Sequence, residues 1–143
     1  VGLGGWDNHS NIKSALDSKM VNHDRAVGVL IQDLSDRGML DDTLVVTAGE
    51  FGRTPRVNAK AGRDHWPNVS CAFVSGGNMR HGQMIGTSDK HAAEPAQRPV
   101  HMGEVHATMY QHMGINPNST TLTDLTGRPQ YLVDDWKPMP ELI

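Results

Sequence analysis

Hydrophobic residues recur with helical spacing in the first part of the chain. They occupy positions Ile12, Leu16, Met20, Val27, Leu30, Ile31 and Leu34. Because residues three or four apart share one face of a helix, this spacing predicts a helix from Ile12 to about Arg37. Gly38 follows directly, and glycine is the usual residue just past a helix C-terminus.

Two short apolar runs after this helix predict strands. They are Thr43–Thr47 and Val69–Val74. An apolar run without alternation is typical of a parallel strand that is covered on both faces. A helix, a short loop and such a strand make half of an α/β unit. The pattern therefore predicts an α/β fold.

The remainder of the chain predicts smaller elements. His81–Thr87 is consistent with a short edge strand, and Ser88–Pro99 with an exposed loop. A second, short helix that ends at Gly114 is predicted from the spacing of Val105, Met109 and Met113. The prolines of the segment 124–143 favour a tail that wraps over the surface.

Composition excludes several function classes. The chain has 143 residues, of which 37% are hydrophobic, and its 13 Lys and Arg against 16 Asp and Glu give a net charge of −3. There is no basic block for nucleic acid, whose phosphates require clustered positive charge. The longest apolar runs are far shorter than the roughly 18 residues of a membrane span. The chain begins without Met or a leader sequence, so we expect it to be part of a larger protein.

The available metal ligands are oxygen and nitrogen rather than sulfur. Cys71 is the single cysteine, which excludes an intrachain disulfide and a cysteine-based zinc site. Eight histidines and 16 carboxylates remain. Any bound metal is therefore expected to have imidazole and carboxylate ligands.

Three polar clusters combine such ligands with glycines that permit close backbone approach. They span Trp6–His9, Gly49–Pro55 and Gly62–Pro67. The first precedes the long helix, the second follows the first predicted strand, and the third precedes the second. In an open α/β sheet, loops at the strand ends form binding sites. Their joint placement favours a site for a divalent metal.

Each cluster also has a purely structural interpretation. Asp7 is well placed to cap the helix that follows it. Glu50 and Arg53 could form an exposed ion pair of little energetic consequence. Asp64 and His65 could form a turn with a solvated imidazole. For each cluster taken singly, the structural interpretation is favoured. Only the shared location of the three clusters favours a metal site instead.

A weaker candidate metal site lies on the short helix, where His101, Glu104 and His106 fall close together. The other histidines are interpreted as surface or structural residues. The sequence contains no Gly-x-Ser-x-Gly elbow, Walker loop, His-Glu-x-x-His helix or dinucleotide glycine motif.

Three motifs carry a resemblance to a known family. They read Gly-Gly-Trp-Asp-x-His at 4–9, Leu-Asp-Asp-Thr-Leu-Val-Val-Thr-x-Gly-Glu-Phe-Gly-Arg-Thr-Pro at 40–55, and Gly-Arg-Asp-His-Trp-Pro at 62–67. Over nearly its whole length the chain resembles the DUF1501 proteins, which are sulfatase-like members of the alkaline phosphatase superfamily. Family members are much longer, and residues 1–143 are similar to the C-terminal portion of their domain.

The resemblance implies a fold and a chemistry. The expected fold is a three-layer α/β/α arrangement with a mostly parallel sheet, present here as a partial domain. The expected function is metal-dependent hydrolysis of phosphate or sulfate esters, with zinc, manganese or calcium as the cofactor and an anionic ester as the substrate. The nucleophile of such proteins lies in their N-terminal half.

The resemblance also implies which residues bind metal. Asp7, His9 and His65 would hold one cation, with Glu50 and Asp64 on or near a second. An alternative alignment places Asp64 and His65 on the Asp-His pair of the superfamily. The sequence departs from the superfamily pattern where a phenylalanine replaces the usual histidine after Glu50, and where only one residue separates Asp7 from His9.

Two arginines are candidate catalytic residues. Arg53 and Arg63 could bind the anionic group, because a guanidinium fork matches tetrahedral oxyanions. The competing hypothesis is a non-catalytic binding or structural module that keeps the alkaline phosphatase-like fold. Phe51 and the missing nucleophile region favour that alternative.

The sequence also leads to expectations about where the protein is located and what it contacts. The resemblance implies an exported protein, periplasmic or extracellular, since such proteins commonly carry a twin-arginine leader. A partial α/β sheet leaves an unpaired strand edge and an uncovered apolar face. We therefore predict a partner that covers Thr43–Thr47 or Val69–Val74, which is either the N-terminal half of the same protein or a second copy.

Overall fold

The structure is a computed structural model that describes residues 3–143. It contains helix α1, Ile12–Asp36, helix α2, Met102–His112, and four separate two-stranded antiparallel sheets. The paired strands are β1 (Leu44–Ala48) with β4 (Ala72–Gly76), β2 (Gly52–Arg53) with β3 (His65–Trp66), β5 (Thr87–Ser88) with β6 (Pro95–Gln97), and β7 (Thr121–Thr123) with β8 (Pro129–Tyr131).

The expected α/β fold, three layers around a mostly parallel sheet, is therefore wrong. Parallel neighbours require a crossover connection, usually a helix, to return the chain to the same end of the sheet. The segment between β1 and β4 instead holds the β2–β3 hairpin, and β4 returns antiparallel, with Val46 opposite Val74. An apolar run indicates that a strand is covered, but it does not encode the direction of its neighbour.

The long helix is confirmed. It spans Ile12–Asp36, and Arg37 is its C-terminal cap. Gly38 follows with a φ of 66°, and the backbone N–H of Met39 donates to Leu34 O at 2.8 Å, which closes the helix end. The N-terminal cap is Asn11, and no side chain caps the helix there. The capping interpretation of Asp7 is therefore wrong.

The short helix is confirmed as well, and the residue that caps its N-terminus is a histidine. The N-terminal cap of α2 is His101, whose Nδ1 accepts from Gly103 N at 3.0 Å, while Glu104 Oε2 accepts from His101 N at 2.9 Å. This reciprocal arrangement is a capping box. The His101 ring also stacks on Trp136, with centroids 3.9 Å apart.

Several strand boundaries differ from the sequence-based expectation. The strand expected at Val69–Val74 begins at Ala72, and the edge strand expected at His81–Thr87 is reduced to Thr87–Ser88. The expected loop Ser88–Pro99 contains β6, which pairs with β5. The tail contributes β8, which pairs with β7 just before the tail in a hairpin that was not predicted. Strands β5 to β8 are two or three residues long, too short for any periodicity to be read.

The hydrophobic core is small. Its buried apolar residues are Leu34, Ala107, Val133, Met139 and Leu142. The accessible surface is 10212 Å², whereas a compact monomer of 15.6 kDa exposes about 7,200 Å². Large apolar side chains on α1 and β4, such as Val21, Val29 and Phe73, are exposed. Neither helix within residues 3–143 is long and apolar enough to cross a membrane.

Candidate metal centre

The three polar clusters of the sequence meet at one place. The segment before α1 runs alongside the loop that connects β2 and β3, and backbone hydrogen bonds join the two. Arg63 N donates to Asn8 O at 3.2 Å, Asn11 N to Lys60 O at 3.0 Å, and Ile12 N to Ala61 O at 2.9 Å. The β2–β3 pairing places Arg53 opposite His65.

A glycine makes this contact possible. A Cβ atom at Gly62 would collide with the backbone of His9 and Ser10. Because only a residue without Cβ permits so close an approach, Gly62 determines how near the His9 segment lies to the β2–β3 loop. The close approach of the His9 backbone thus explains why the Gly-Arg-Asp-His motif begins with a glycine.

Three ligand atoms converge where the segments meet. His65 Nε2 lies 2.8 Å from Asp7 Oδ1, His9 Nε2 lies 3.0 Å from the same oxygen, and the two nitrogens are 3.2 Å apart. In a tetrahedral zinc site with bonds near 2.0–2.1 Å, neighbouring ligand atoms are about 3.3 Å apart. Asp7, His9 and His65, here called the candidate metal centre, thus have the spacing of a metal-binding triad.

The candidate metal centre is open to solvent. The exposed fractions of the Asp7, His9 and His65 side chains are 63%, 45% and 46%. A structural metal site is normally closed by four protein ligands, whereas three ligands and an open side leave room for water or substrate. The arrangement is therefore of the kind in which a bound metal remains accessible.

Asp7 is held as a carboxylate. Its pKa is lowered to about 2, first because His65 hydrogen-bonds to it and second because Arg53 does so. Arg53 Nη2 donates to Asp7 Oδ1 at 2.6 Å. At neutral pH Asp7 is thus ionised, which is the state that a metal ligand requires.

The two candidate catalytic arginines have different positions. Arg53 reaches the candidate metal centre, where it pairs with Asp7 rather than with Glu50. Its Nη1 also donates to Arg63 O at 3.1 Å. Arg63 does not reach the candidate metal centre, because its Nη1 donates to the carbonyl oxygens of Thr54 and Pro55. Arg53 is therefore beside the centre, while Arg63 supports the loop that carries Arg53.

Asp64 lies next to the candidate metal centre, on the far side of His9. Its carboxylate accepts from His9 Nδ1 at 2.6 Å, and its pKa is lowered mainly by that hydrogen bond and then by one from Asn58. Glu50 is exposed in the turn after β1 and is not part of the triad. Within residues 3–143 no second group of three potential ligands lies together. His101 and Glu104 form the cap of α2, so the weaker candidate site on that helix is not assembled.

Aromatic residues lie next to two of the ligands, His65 in space and Asp7 along the chain. The Phe51 ring packs against His65 with centroids 4.2 Å apart. Trp6, which precedes Asp7, donates from Nε1 to Leu3 O at 2.6 Å and meets His23 of α1 edge to face at 5.8 Å. Phe51 thus packs against a ligand and is not one itself.

Sequence reasoning missed Asn58. Its side chain joins the β2–β3 loop to the segment that bears His9, because Nδ2 donates to His9 O at 3.1 Å and Oδ1 accepts from Gly62 N at 3.0 Å. The available signal was the asparagine itself, whose side chain often accepts from the backbone two residues further on in a turn. That signal predicts a turn, not a role beside a ligand.

Comparison with known proteins adds one finding. The sequence profile of a family described as "Protein of unknown function (DUF1501)" matches residues 1–143. The match includes the three motifs and every residue of the candidate metal centre. No curated protein and no solved structure matches the chain.

Proposed function

The chain belongs to the DUF1501 family, and from that premise we propose that it is part of a metal-dependent hydrolase of phosphate or sulfate esters. The observation that carries the proposal is the convergence of Asp7 Oδ1, His9 Nε2 and His65 Nε2 within 3.2 Å of one another. When bound there, a divalent metal supplies Lewis-acid polarisation of an ester oxygen and lowers the pKa of a nucleophile.

The lone pairs at the centre support a bound cation. Because Asp64 is an acceptor, His9 donates to it from Nδ1, and the Nε2 lone pair of the neutral ring then faces Asp7 Oδ1 at 3.0 Å. In that tautomer two lone pairs face each other, and a cation between them would relieve their repulsion. A shared cation satisfies both atoms, and His65 Nε2 faces the same point.

The donor set discriminates between the candidate metals. One carboxylate and two imidazoles suit zinc or manganese. Calcium prefers six to eight oxygen ligands. Of the three cofactors considered from the sequence, zinc and manganese are therefore the better fit.

Arg53 is the residue we assign to the anionic group of the substrate. Its guanidinium lies 2.6 Å from Asp7, so an ester oxygen bound at the centre would lie beside it. A guanidinium fork donates two parallel hydrogen bonds to phosphate or sulfate oxygens. Arg63 fixes the loop through Thr54 and Pro55, and its carbonyl oxygen holds Arg53.

The test is an assay of the longest natural protein that contains this chain. We expect hydrolysis of 4-nitrophenyl phosphate or 4-nitrophenyl sulfate after removal of metal with chelator and reloading with zinc or manganese. His65→Ala should abolish this activity, while Asn68→Ala, outside the centre, should retain it. A protein that binds metal and hydrolyses neither ester would contradict the proposal.

The second candidate function is a non-catalytic binding or structural module. It is favoured by the arginines, since Arg53 and Arg63 both donate to oxygen atoms of the protein itself. A module of this kind would bind metal but turn over no ester. The same assay therefore distinguishes the two functions.

Export is part of the proposal and rests on the family resemblance. A protein with a twin-arginine leader is translocated in the folded state, so its metal could be inserted beforehand. Fractionation of the native host should find the protein outside the cytoplasm. Recovery with cytoplasmic markers would contradict export without affecting the proposed chemistry.

A further inference from the structure

We infer that Asn58, acting through Asp64, positions the His9 imidazole and determines which of its nitrogens faces the candidate metal centre. This inference rests on the proposed metal site and adds two positioning residues to it. The juxtaposition that carries it is a continuous chain of hydrogen bonds from Asn58 to Asp64 to His9.

The first step concerns His9. Its Nδ1 donates to Asp64 Oδ1 at 2.6 Å, while its Nε2 faces Asp7 and His65. Both ring nitrogens face an ionised carboxylate, which only accepts hydrogen bonds, and the Nδ1–Asp64 distance of 2.6 Å is shorter than the Nε2–Asp7 distance of 3.0 Å, so we place the single proton of the neutral ring on Nδ1. In the neutral ring the Nε2 lone pair is then free to bind a metal. A carboxylate behind a ligating histidine is a recurrent arrangement that raises ligand basicity.

The second step concerns Asp64. Asn58 Nδ2 lies 3.3 Å from Oδ1 and 3.2 Å from Oδ2 of Asp64, and it also donates to His9 O. One amide group therefore holds both the carboxylate and the backbone of the histidine that the carboxylate orients. Asp64 is half exposed, so without Asn58 its side chain would be free to rotate toward water.

The third step explains why Asn58 itself is fixed. Its Oδ1 accepts from Lys60 N at 2.9 Å and from Gly62 N at 3.0 Å, and its backbone N–H donates to Gly62 O at 2.8 Å. The side chain is thus tied into the turn 58–62 at one end and to Asp64 at the other. Such preorganisation keeps a ligand in its binding rotamer before the metal arrives.

The other histidine has a different support. His65 packs against the Phe51 ring, and within residues 3–143 no hydrogen bond holds its Nδ1. The two imidazoles therefore differ in what stands behind them: a carboxylate for His9 and an aromatic face for His65. We expect the tautomer of His9, but not that of His65, to depend on Asn58.

The experiment uses two variants with different structural consequences. Asp64→Ala removes the acceptor from His9. Asn58→Asp keeps the oxygen that Lys60 N and Gly62 N contact, so the turn is retained, but it replaces the amide donor with a charge that repels Asp64. The matched control is Asn68→Ala, because Asn68 is an exposed asparagine that donates to Glu94 outside the centre.

The first measurement requires no metal. Long-range ¹H–¹⁵N spectra of the imidazole nitrogens should show His9 protonated at Nδ1 in the wild type and in Asn68→Ala. In both test variants the proton should shift toward Nε2, while the His65 signals keep their tautomer. An unchanged His9 tautomer in both variants would overturn the inference.

The second measurement is zinc and manganese affinity by calorimetry. Loss of a hydrogen-bonding residue behind a ligand typically weakens metal binding by about 10- to 100-fold, and we expect that range for both variants. Wild-type affinity in both variants would overturn the inference and leave the metal site intact. If the wild type bound no metal but its His9 tautomer still responded to Asn58→Asp, the positioning role would stand and the proposed function would fail.

Discussion

The candidate metal centre and the region around α2 are built from the same residue types but use them differently. Around α2, Arg98 donates to Glu141 at 2.6 and 2.9 Å and to Glu104 at 3.2 Å, and His101 caps the helix. There the two carboxylates pair with different nitrogens of one guanidinium: Glu141 with Nε and Nη2, and Glu104 with Nη1. At the candidate metal centre, both imidazoles and Arg53 converge on the single oxygen Asp7 Oδ1.

This difference separates a structural cluster from a candidate site. The α2 cluster lies beside most of the buried core, which includes Ala107, Val133, Met139 and Leu142, and it joins the tail to the helix. The candidate metal centre is exposed and holds little apolar surface. The charged groups around α2 join the tail to the helix, whereas the groups that converge on one oxygen of Asp7 mark the point at which we propose that a metal binds.

Removing a metal ligand should produce the largest effect. Zinc at about 100 times its Kd should stabilise the protein by about 2.7 kcal/mol, since it binds only the folded state. His65→Ala should abolish this gain, and thermal unfolding with and without zinc measures it. His81→Ala, a loop histidine outside the centre, is the control. Equal zinc stabilisation of wild type and His65→Ala would remove the distinction between the two regions.

The uncovered surface should cause association. The chain exposes 10212 Å², about 3,000 Å² more than expected for its mass, whereas a standard protein interface buries about 800 Å² per partner. We expect light scattering of the isolated chain to show self-association, and addition of the rest of the protein to suppress it. A stable monomer at micromolar concentration would show that the small core near α2 suffices.

The Arg98 cluster should make stability depend on acid pH. The pKa of Glu141 is lowered from 4.5 to about 2, mainly because Arg98 donates hydrogen bonds to it. Because the folded-state pKa is the lower one, this stabilisation is complete above about pH 4.5 and is lost as the pH falls toward 2. The difference in unfolding free energy between wild type and Arg98→Ala should therefore shrink over that range. Arg37→Ala, which removes an exposed pair with Asp33, should show a smaller change.

Loss of the α2 cap should have the smallest effect. His101→Ala should cost about 1 kcal/mol, the usual cost of removing a side-chain cap, and should leave zinc affinity unchanged. Denaturant unfolding and calorimetry measure the two quantities. His106→Ala, on the exposed face of the same helix, is the control. A loss of zinc affinity in His101→Ala would mean that the two regions are coupled.

The polar clusters and the family resemblance predicted more of the site than of the fold. Asp7, His9 and His65 were proposed as one ligand set, and the structure brings them together. The role of Asp64 beside His9, the pairing of Arg53 with Asp7 and the contribution of Asn58 were not predicted. Each of these depends on a contact between residues 6 to 55 positions apart along the chain, which the local pattern does not contain.

The sequence by itself determined the two helices and the family. Helical periodicity and the glycines after α1 and α2 act within a few residues, so they can be read locally. The DUF1501 motifs are likewise contiguous. Tertiary structure alone decided that β1 and β4 pair antiparallel, that Gly62 admits the His9 backbone, and that three ligands share one point. The physical reason is that strand direction and side-chain convergence are set by long-range pairing and close packing.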